Sequence, residues 1–233
     1  MPGAGAGAAG GAGPVAGRQG PQRPGGAATR AAGRHRGLLR AAAAVVLAAT
    51  LAACSPSGRP QFRNTDVTGA DFTPELRLTG HDGKPHTLAD WRGKAIVVFF
   101  GYTHCPDVCP TTMAEMADTM RRLGARADEV QVLFVSVDPE RDTPQMLAQY
   151  VPAFDARFVG LSGTTEQTAR AVGSFKAFFQ KVPGKTPGSY TVDHSSGSYV
   201  FDRQGRLRLF VRHGQGPEAL AHDLGLLLDE PRG

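Results

Sequence analysis

The stretch Ala95-Ile-Val-Val-Phe-Phe-Gly-Tyr-Thr-His-Cys-Pro-Asp-Val-Cys-Pro110 decides how the chain is expected to fold. Its first six residues are all apolar, which is typical of a central strand that is covered on both faces. After it, an amphipathic helix ending at Gly124 is predicted by apolar residues at spacings of three and four: Met113, Met116, Met120 and Leu123. We therefore expect a buried strand that leads into a helix, with two cysteines in the connection.

The chain beyond this stretch continues to alternate between strands and helices. Strands are predicted at residues 76–79, 131–137, 157–161, 199–201 and 207–211, and helices at 143–151, 164–179 and 217–228. The last two strands flank a glycine-containing turn and are expected to form a hairpin. This order predicts an α/β fold with a central, mostly parallel sheet and an antiparallel edge hairpin.

The basic charge of the chain is confined to its N-terminal segment. The formal net charge is +5, but residues 1–53 contain six arginines, no lysine and no acidic residue, which leaves 20 basic and 21 acidic residues in 54–233. This second part is close to neutral and has no run of Lys and Arg interleaved with aromatic residues. The composition therefore argues against a nucleic-acid partner.

Residues 1–53 are predicted to be a cleaved signal peptide with a low-complexity prefix. Four arginines precede the uncharged segment 41–53, and the order of a basic region, an apolar region and small residues is that of an export signal. Thirteen apolar residues are too few to span a hydrocarbon core of ~30 Å, so a transmembrane anchor is the weaker alternative.

The end of this segment, Leu51-Ala-Ala-Cys54, resembles the lipobox of bacterial lipoproteins. The resemblance implies that Cys54 is acylated and becomes the first residue of the mature protein. Residues 54–70 are then expected to be a lipidated N-terminus and tether, and residues 71–233 the folded domain. The alternative is a plain secretory signal in which Cys54 is incidental.

Cys105 and Cys109 are the candidate functional residues. The oxidising compartment that an exported protein enters permits a disulfide. A disulfide between residues four apart would add almost nothing to the stability of the fold, so we expect this pair to have a chemical function. The two cysteines lie between a strand and a helix N-terminus, where α/β proteins place their sites and where the helix dipole lowers a thiol pKa. Two adjacent thiolates suit Cu(I), Zn(II) or a dithiol–disulfide couple.

His194 is the candidate third ligand. It lies in the loop predicted before the first strand of the hairpin, and a thioredoxin-like arrangement brings this loop close to the cysteines. A Cys₂His set suits a trigonal Cu(I) site, whereas structural zinc usually has four protein ligands. Taken alone, His194 is better explained as a loop histidine that is hydrogen-bonded to Ser195 or Asp193.

Two further polar residues lie near these candidates. His104 is adjacent to Cys105, and because adjacent side chains diverge, we expect it to tune the thiol or face solvent rather than to bind metal. Asp138 follows the second buried strand, and it is either a turn residue or a carboxylate close to the site. The methionines of the predicted helix are expected to lie in the core rather than to bind copper.

Three segments in this order together resemble the SCO/SenC family of thioredoxin-fold copper chaperones: residues 101–110, 136–144 and 193–196. The resemblance covers about residues 72–229. It implies a thioredoxin-like fold with one copper ion bound by Cys105, Cys109 and His194, and with Asp138 as the acidic residue near the site.

The resemblance also implies a membrane-anchored metallochaperone on the outer face of the bacterial cell membrane. Its expected acceptor is the CuA site of cytochrome c oxidase subunit II, and its expected anchor is a lipid. Such a protein needs no turnover and is a binding protein rather than an enzyme. The alternative is a thiol–disulfide oxidoreductase that reduces the CuA cysteines or other exported thiols, and a peroxidase is a third, weaker interpretation.

Overall fold

A mixed eight-stranded sheet is the frame of residues 60–231, the part of the chain that the computed structural model describes. The strands are β1 (Thr65–Asp66), β2 (Arg77–Gly80), β3 (Pro85–Thr87), β4 (Ala95–Gly101), β5 (Val130–Ser136), β6 (Val159–Ser162), β7 (Phe179–Pro183), β8 (Tyr190–His194), β9 (Ser198–Phe201) and β10 (Leu207–Val211). The helices are α1 (Val108–Leu123), α2 (Pro144–Tyr150), α3 (Thr165–Ser174) and α4 (Pro217–Asp229). The strand order in the sheet is β1-β10-β9-β4-β5-β6-β2-β3, and β7 and β8 form a separate two-stranded sheet.

The predicted α/β architecture is confirmed at the centre of the sheet. Strands β4, β5 and β6 run parallel, and every residue of β4 and β5 is buried, as their continuous apolar sequences indicate. The predicted hairpin β9–β10 is antiparallel and joins β4 on one side, and β2–β3 adds a second antiparallel pair at the other edge. The carboxyl ends of β4 and β5 therefore lie side by side.

Helix α1 follows the predicted pattern closely. Met113, Met116 and Met120 are no more than 3% exposed and pack in the core, which confirms that their spacing reflects burial rather than metal binding. Helix α2 begins as predicted, with the Thr143 hydroxyl accepting the Met146 N–H and a proline at the first position.

The segment between α3 and β9 differs from the prediction. The helix expected over 164–179 ends at Ser174, and the hairpin β7–β8 was not predicted. His194 is consequently the last residue of strand β8 and does not lie in a loop. The reason is that each strand has five residues and only Val192 is buried, so the sequence shows no apolar periodicity that would mark this hairpin.

The domain also begins earlier than the predicted boundary at residue 71. The buried Asp223 carboxylate of α4 accepts the backbone N–H groups of Arg63 at 2.9 Å and Asn64 at 2.8 Å, and β1 pairs with β10. Part of the expected tether is therefore docked onto the domain. The predicted signal peptide and Cys54 lie outside the described residues. Across 60–231, no helix combines the length and the apolar character needed to cross a membrane.

Candidate metal site

The two cysteines lie in the connection from β4 to α1, as the sequence predicts. Cys109 is in the first turn of α1 and fully buried, whereas Cys105 precedes the helix and is partly exposed, and both are free thiols. Cys105 Sγ accepts the Cys109 N–H at 3.4 Å and so takes up one of the free donors at the start of the helix. The four-residue spacing thus places Cys105 Sγ against the first turn of α1, which carries Cys109, although Cys105 itself lies before this turn.

Gly101 makes room for the buried thiol. A Cβ atom at this position would lie 3.1 Å from Cys109 Sγ and within 2.9 Å of ring atoms of Phe99 and Phe134. Since these rings are buried at the centre of the sheet, any larger residue would push against the sulfur.

The expected lowering of the thiol pKa applies to only one cysteine. Burial opposes ionisation of Cys105, but the backbone N–H groups of Asp107, Cys109 and Val108 outweigh it, and its pKa is lowered. The pKa of Cys109 is instead raised, chiefly because this thiol is buried. The expectation was therefore wrong for Cys109, where burial has a larger effect than the helix N-terminus.

His194 presents one ring nitrogen to the buried thiol. Its Nε2 lies 3.6 Å from Cys109 Sγ, and its Nδ1 lies 3.0 Å from the carbonyl oxygen of Ser195. Because a carbonyl oxygen only accepts, the hydrogen is on Nδ1 and the Nε2 lone pair faces the sulfur. Burial lowers the pKa of His194, which favours the neutral, metal-binding form of the ring.

This arrangement fits a small thiophilic metal ion. A thiolate sulfur at about 2.3 Å and an imidazole nitrogen at about 2.0–2.1 Å from one metal ion, with tetrahedral or trigonal angles, are about 3.5–3.8 Å apart. The Cys109–His194 separation falls in this range, and Cys105 Sγ accepts the backbone N–H of Cys109. Within residues 60–231, no three His, Cys, Asp or Glu side chains are grouped so that they could hold a metal ion as they stand. Binding of one metal ion by Cys105, Cys109 and His194 together therefore requires at least one of these side chains to move.

The site opens on one side to a cleft of about 450 Å³. Cys105, Pro106 and His194 line this cleft together with Phe178, whose side chain is 60% exposed. Cys109 lies behind them. A ligand or partner can therefore reach Cys105 first.

The other two sequence candidates are not at the sulfurs. His104 is half exposed, and its Nδ1 lies 3.0 Å from the Thr103 hydroxyl, in agreement with the expectation that it faces solvent. Asp138 is fully buried, and its carboxylate accepts the Tyr190 hydroxyl at 2.8 Å and the Nε–H of Arg141. It is linked to the hairpin that carries His194 rather than to the cysteines.

Sequence reasoning missed Asp142, which holds the cysteine connection in place. This fully buried carboxylate accepts the Thr103 N–H at 3.1 Å, the Thr103 hydroxyl at 2.6 Å and the Ser136 hydroxyl at 2.7 Å. Burial raises the pKa of Asp142, and its charge is one of the lesser causes that raise the pKa of Cys109. Its only sequence signal is its place four residues after Asp138 in the segment 136–144.

Fold and site together define a thioredoxin-like α/β protein with a Cys-x₃-Cys pair and a histidine at the carboxyl edge of its sheet. Residues 64–229 match the SCO1/SenC family model. The chain belongs to this family, which confirms the resemblance seen in its motifs.

Similar proteins come from eukaryotes and bacteria. The mouse mitochondrial SCO2 homologue is 34% identical over 165 residues, which are 70% of this chain and 63% of that protein, so the chain spans less than two thirds of this relative. The copper-bound structure of Bradyrhizobium japonicum ScoI is 41% identical, with a TM-score of 0.62 over 67% of this chain and 99% of that one. A SCO1/SenC family lipoprotein from Bacillus anthracis is 25% identical, with a TM-score of 0.61 over 72% of this chain and 100% of that one.

Proposed function

We propose that this chain binds one copper ion through Cys105, Cys109 and His194 and acts as a metallochaperone. The observation that carries the proposal is the 3.6 Å separation between Cys109 Sγ and His194 Nε2, with the imidazole hydrogen on the opposite nitrogen. Two thiols and a neutral imidazole are donors that Cu(I) accepts in a three-coordinate site. The similarity to a copper-bound ScoI supports the same metal.

The exposure of the donors suits transfer of the ion rather than permanent storage. Cys105 has the lowered thiol pKa and faces the cleft, so it is the donor that a partner's thiol reaches and replaces first. Cys109 is buried behind it, His194 is half-buried at the wall of the cleft, and these two donors hold the ion until exchange is complete. We propose the CuA site of cytochrome c oxidase subunit II as the acceptor, on the basis of family membership.

The same proposal includes export and a lipid anchor. Residues 1–53 serve as the signal peptide, Cys54 carries the lipid, and the domain works at the outer face of the cell membrane. The motif Leu51-Ala-Ala-Cys54 supports this part, as does the description of the Bacillus anthracis relative as a lipoprotein.

Copper titration of the reduced domain tests the ligand set. We expect about one Cu(I) per chain by native mass spectrometry. We expect His194→Ala to lower the Cu(I) affinity, measured against a competing chelator, by about 100-fold or more, because the site then lacks one of its three ligands. The matched control is His104→Ala, which removes an exposed histidine beside the same cysteines and is expected to bind as the wild type does. Equal affinities for His194→Ala and wild type would overturn the proposed ligand set.

A thiol–disulfide reductase is the second candidate, because Cys105 lines the cleft and its lowered pKa favours the first step of such a reaction. The exposed Cys105 thiolate would attack a partner disulfide and form a mixed disulfide, with one partner sulfur leaving as a thiolate. Cys109 would then lose its proton and attack Cys105 Sγ, which releases the reduced partner and leaves a Cys105–Cys109 disulfide. The raised pKa of Cys109 opposes this second step. Unchanged copper affinity in His194→Ala, together with loss of disulfide exchange in Cys105→Ser, would favour the reductase.

A further inference from the structure

The hairpin β7–β8 carries His194 but is not part of the eight-stranded sheet. Its ladder pairs only these two strands, from Phe179 opposite His194 to Pro183 opposite Tyr190. Backbone pairing therefore does not fix where the hairpin lies on the domain. Apart from the short chain that continues into β9 at Ser198, the position of the imidazole depends on the side chains that join the hairpin to its surroundings.

One of these connections joins Tyr190 to the turn that follows β5. The Tyr190 hydroxyl donates to Asp138 Oδ1 at 2.8 Å, and Arg141 donates its Nε–H to Asp138 Oδ2 and its Nη1–H to the Tyr190 carbonyl at 3.2 Å. The Arg141 guanidinium also lies 3.7 Å from the centroid of the Tyr190 ring. Asp138 is fully buried, so these charge-assisted bonds are shielded from water.

Tyr190 and the proposed metal ligand His194 lie on the same face of strand β8. Residues two apart in a strand project from the same face, so Tyr190, Val192 and His194 all point from one face of β8. Val192 is 3% exposed, which shows that this face packs against the domain. Tyr190 is attached at one end of the strand and His194 approaches Cys109 at the other.

The same turn also reaches the cysteines. Asp142 lies one residue beyond Arg141 and accepts the N–H and the hydroxyl of Thr103, two residues before Cys105. One short segment after β5 thus contacts the strand with the histidine and the connection with the thiols. It is the common support of the two halves of the site.

We propose that Arg141 and Tyr190 are positioning residues for His194: they clamp β8 onto Asp138 and so set the distance between the imidazole and Cys109. The copper readout of this inference rests on the proposed function, whereas its structural readout does not. Because the clamp acts through His194, its effect on copper binding must vanish when the imidazole is absent.

Two variants test the clamp. Arg141→Gln removes the guanidinium that bridges Asp138 and the Tyr190 carbonyl, and Tyr190→Phe removes only the hydroxyl and keeps the ring. The matched control is Glu140→Gln, which breaks the ion pair between the same turn and Lys181 of β7. It serves as a control because the Glu140 side chain is 60% exposed and ion pairs at exposed positions contribute little to stability. Each change is also made in a His194→Ala background.

The first measurement uses the metal-free, reduced domain. In both clamp variants we expect the amide protons of β8 to exchange about tenfold faster or more. We also expect weaker NMR cross-peaks from the His194 ring to the rings of Phe99 and Tyr102, whose centroids lie 6.2 and 5.9 Å away. Glu140→Gln is expected to resemble the wild type. Unchanged exchange and unchanged cross-peaks in both clamp variants would overturn the proposal.

The second measurement is the Cu(I) affinity against a competing chelator. We expect losses of about 10- to 100-fold in the clamp variants, as is typical of residues that orient a metal ligand, and no further loss in the His194→Ala background. Equal losses in both backgrounds would show that the residues act elsewhere and would overturn the proposal. A wild-type chain that binds no copper overturns the proposed function instead, and the metal-free measurement still decides on the clamp.

Discussion

Gly101→Ala tests whether close packing around the buried thiol sets the geometry of the site. The added methyl group would lie 2.8 Å from Phe134 Cε2, 2.9 Å from Phe99 Cε1 and 3.1 Å from Cys109 Sγ. Both rings are fully buried in neighbouring parallel strands, so they cannot turn away without disturbing the core. We expect overpacking to lower the free energy of unfolding by about 1–3 kcal/mol.

The measurement is urea unfolding of the reduced, metal-free domain, monitored by circular dichroism. The slope of the free energy of unfolding against urea concentration must be the same for the variant and the wild type. The control is Gly225→Ala in the interior of α4, where nothing lies within 4 Å of the added methyl group. That variant is expected to gain about 0.5–1 kcal/mol because alanine is the better helix former. If Gly101→Ala were as stable as the wild type, the packing argument for this position would be refuted.

Three further predictions concern Asp142, His194 and Cys54. Asp142→Ala removes the acceptor of hydrogen bonds from Thr103 and Ser136 and is expected to lower the free energy of unfolding by about 2–4 kcal/mol in urea; a loss below about 1 kcal/mol would contradict this role. The pKa of His194 is lowered from 6.5 by burial, so the unfolded chain binds this proton more tightly and the metal-free domain should lose stability as the pH falls below about 6.5. The loss should be smaller in His194→Gln, and equal pH dependence in urea titrations of the two proteins would contradict the assignment. Cys54→Ala should move the protein from the membrane to the soluble fraction after cell fractionation, and unchanged membrane retention would argue for another anchor.

The parts of the structure that the sequence predicts are those with strong local patterns. Strand β4 is a continuous apolar run, and the methionines of α1 recur at helical spacing, so both elements and the cysteines between them are visible without coordinates. The hairpin β7–β8 is not visible in this way, because its residues are largely exposed and its strands are held by pairing with each other.

The roles of the acids and the pKa of Cys109 depend on the three-dimensional arrangement. Asp138 and Asp142 are four residues apart in one segment, and only the folded chain shows that the first holds the histidine hairpin and the second the cysteine connection. A helix N-terminus favours a thiolate, but the complete burial of Cys109 reverses that effect. Local sequence does not report how deeply a residue will be covered.

The docking of Arg63 and Asn64 onto Asp223 limits how far a lipid-anchored domain can travel. Only nine peptide units join Cys54 to Arg63, and a fully extended chain of this length spans at most about 30 Å. With the lipid on Cys54, Arg63 would stay within this distance of the bilayer surface. The domain would search a thin layer of solvent rather than the whole compartment, and acceptors embedded in the same membrane would meet it at a high local concentration.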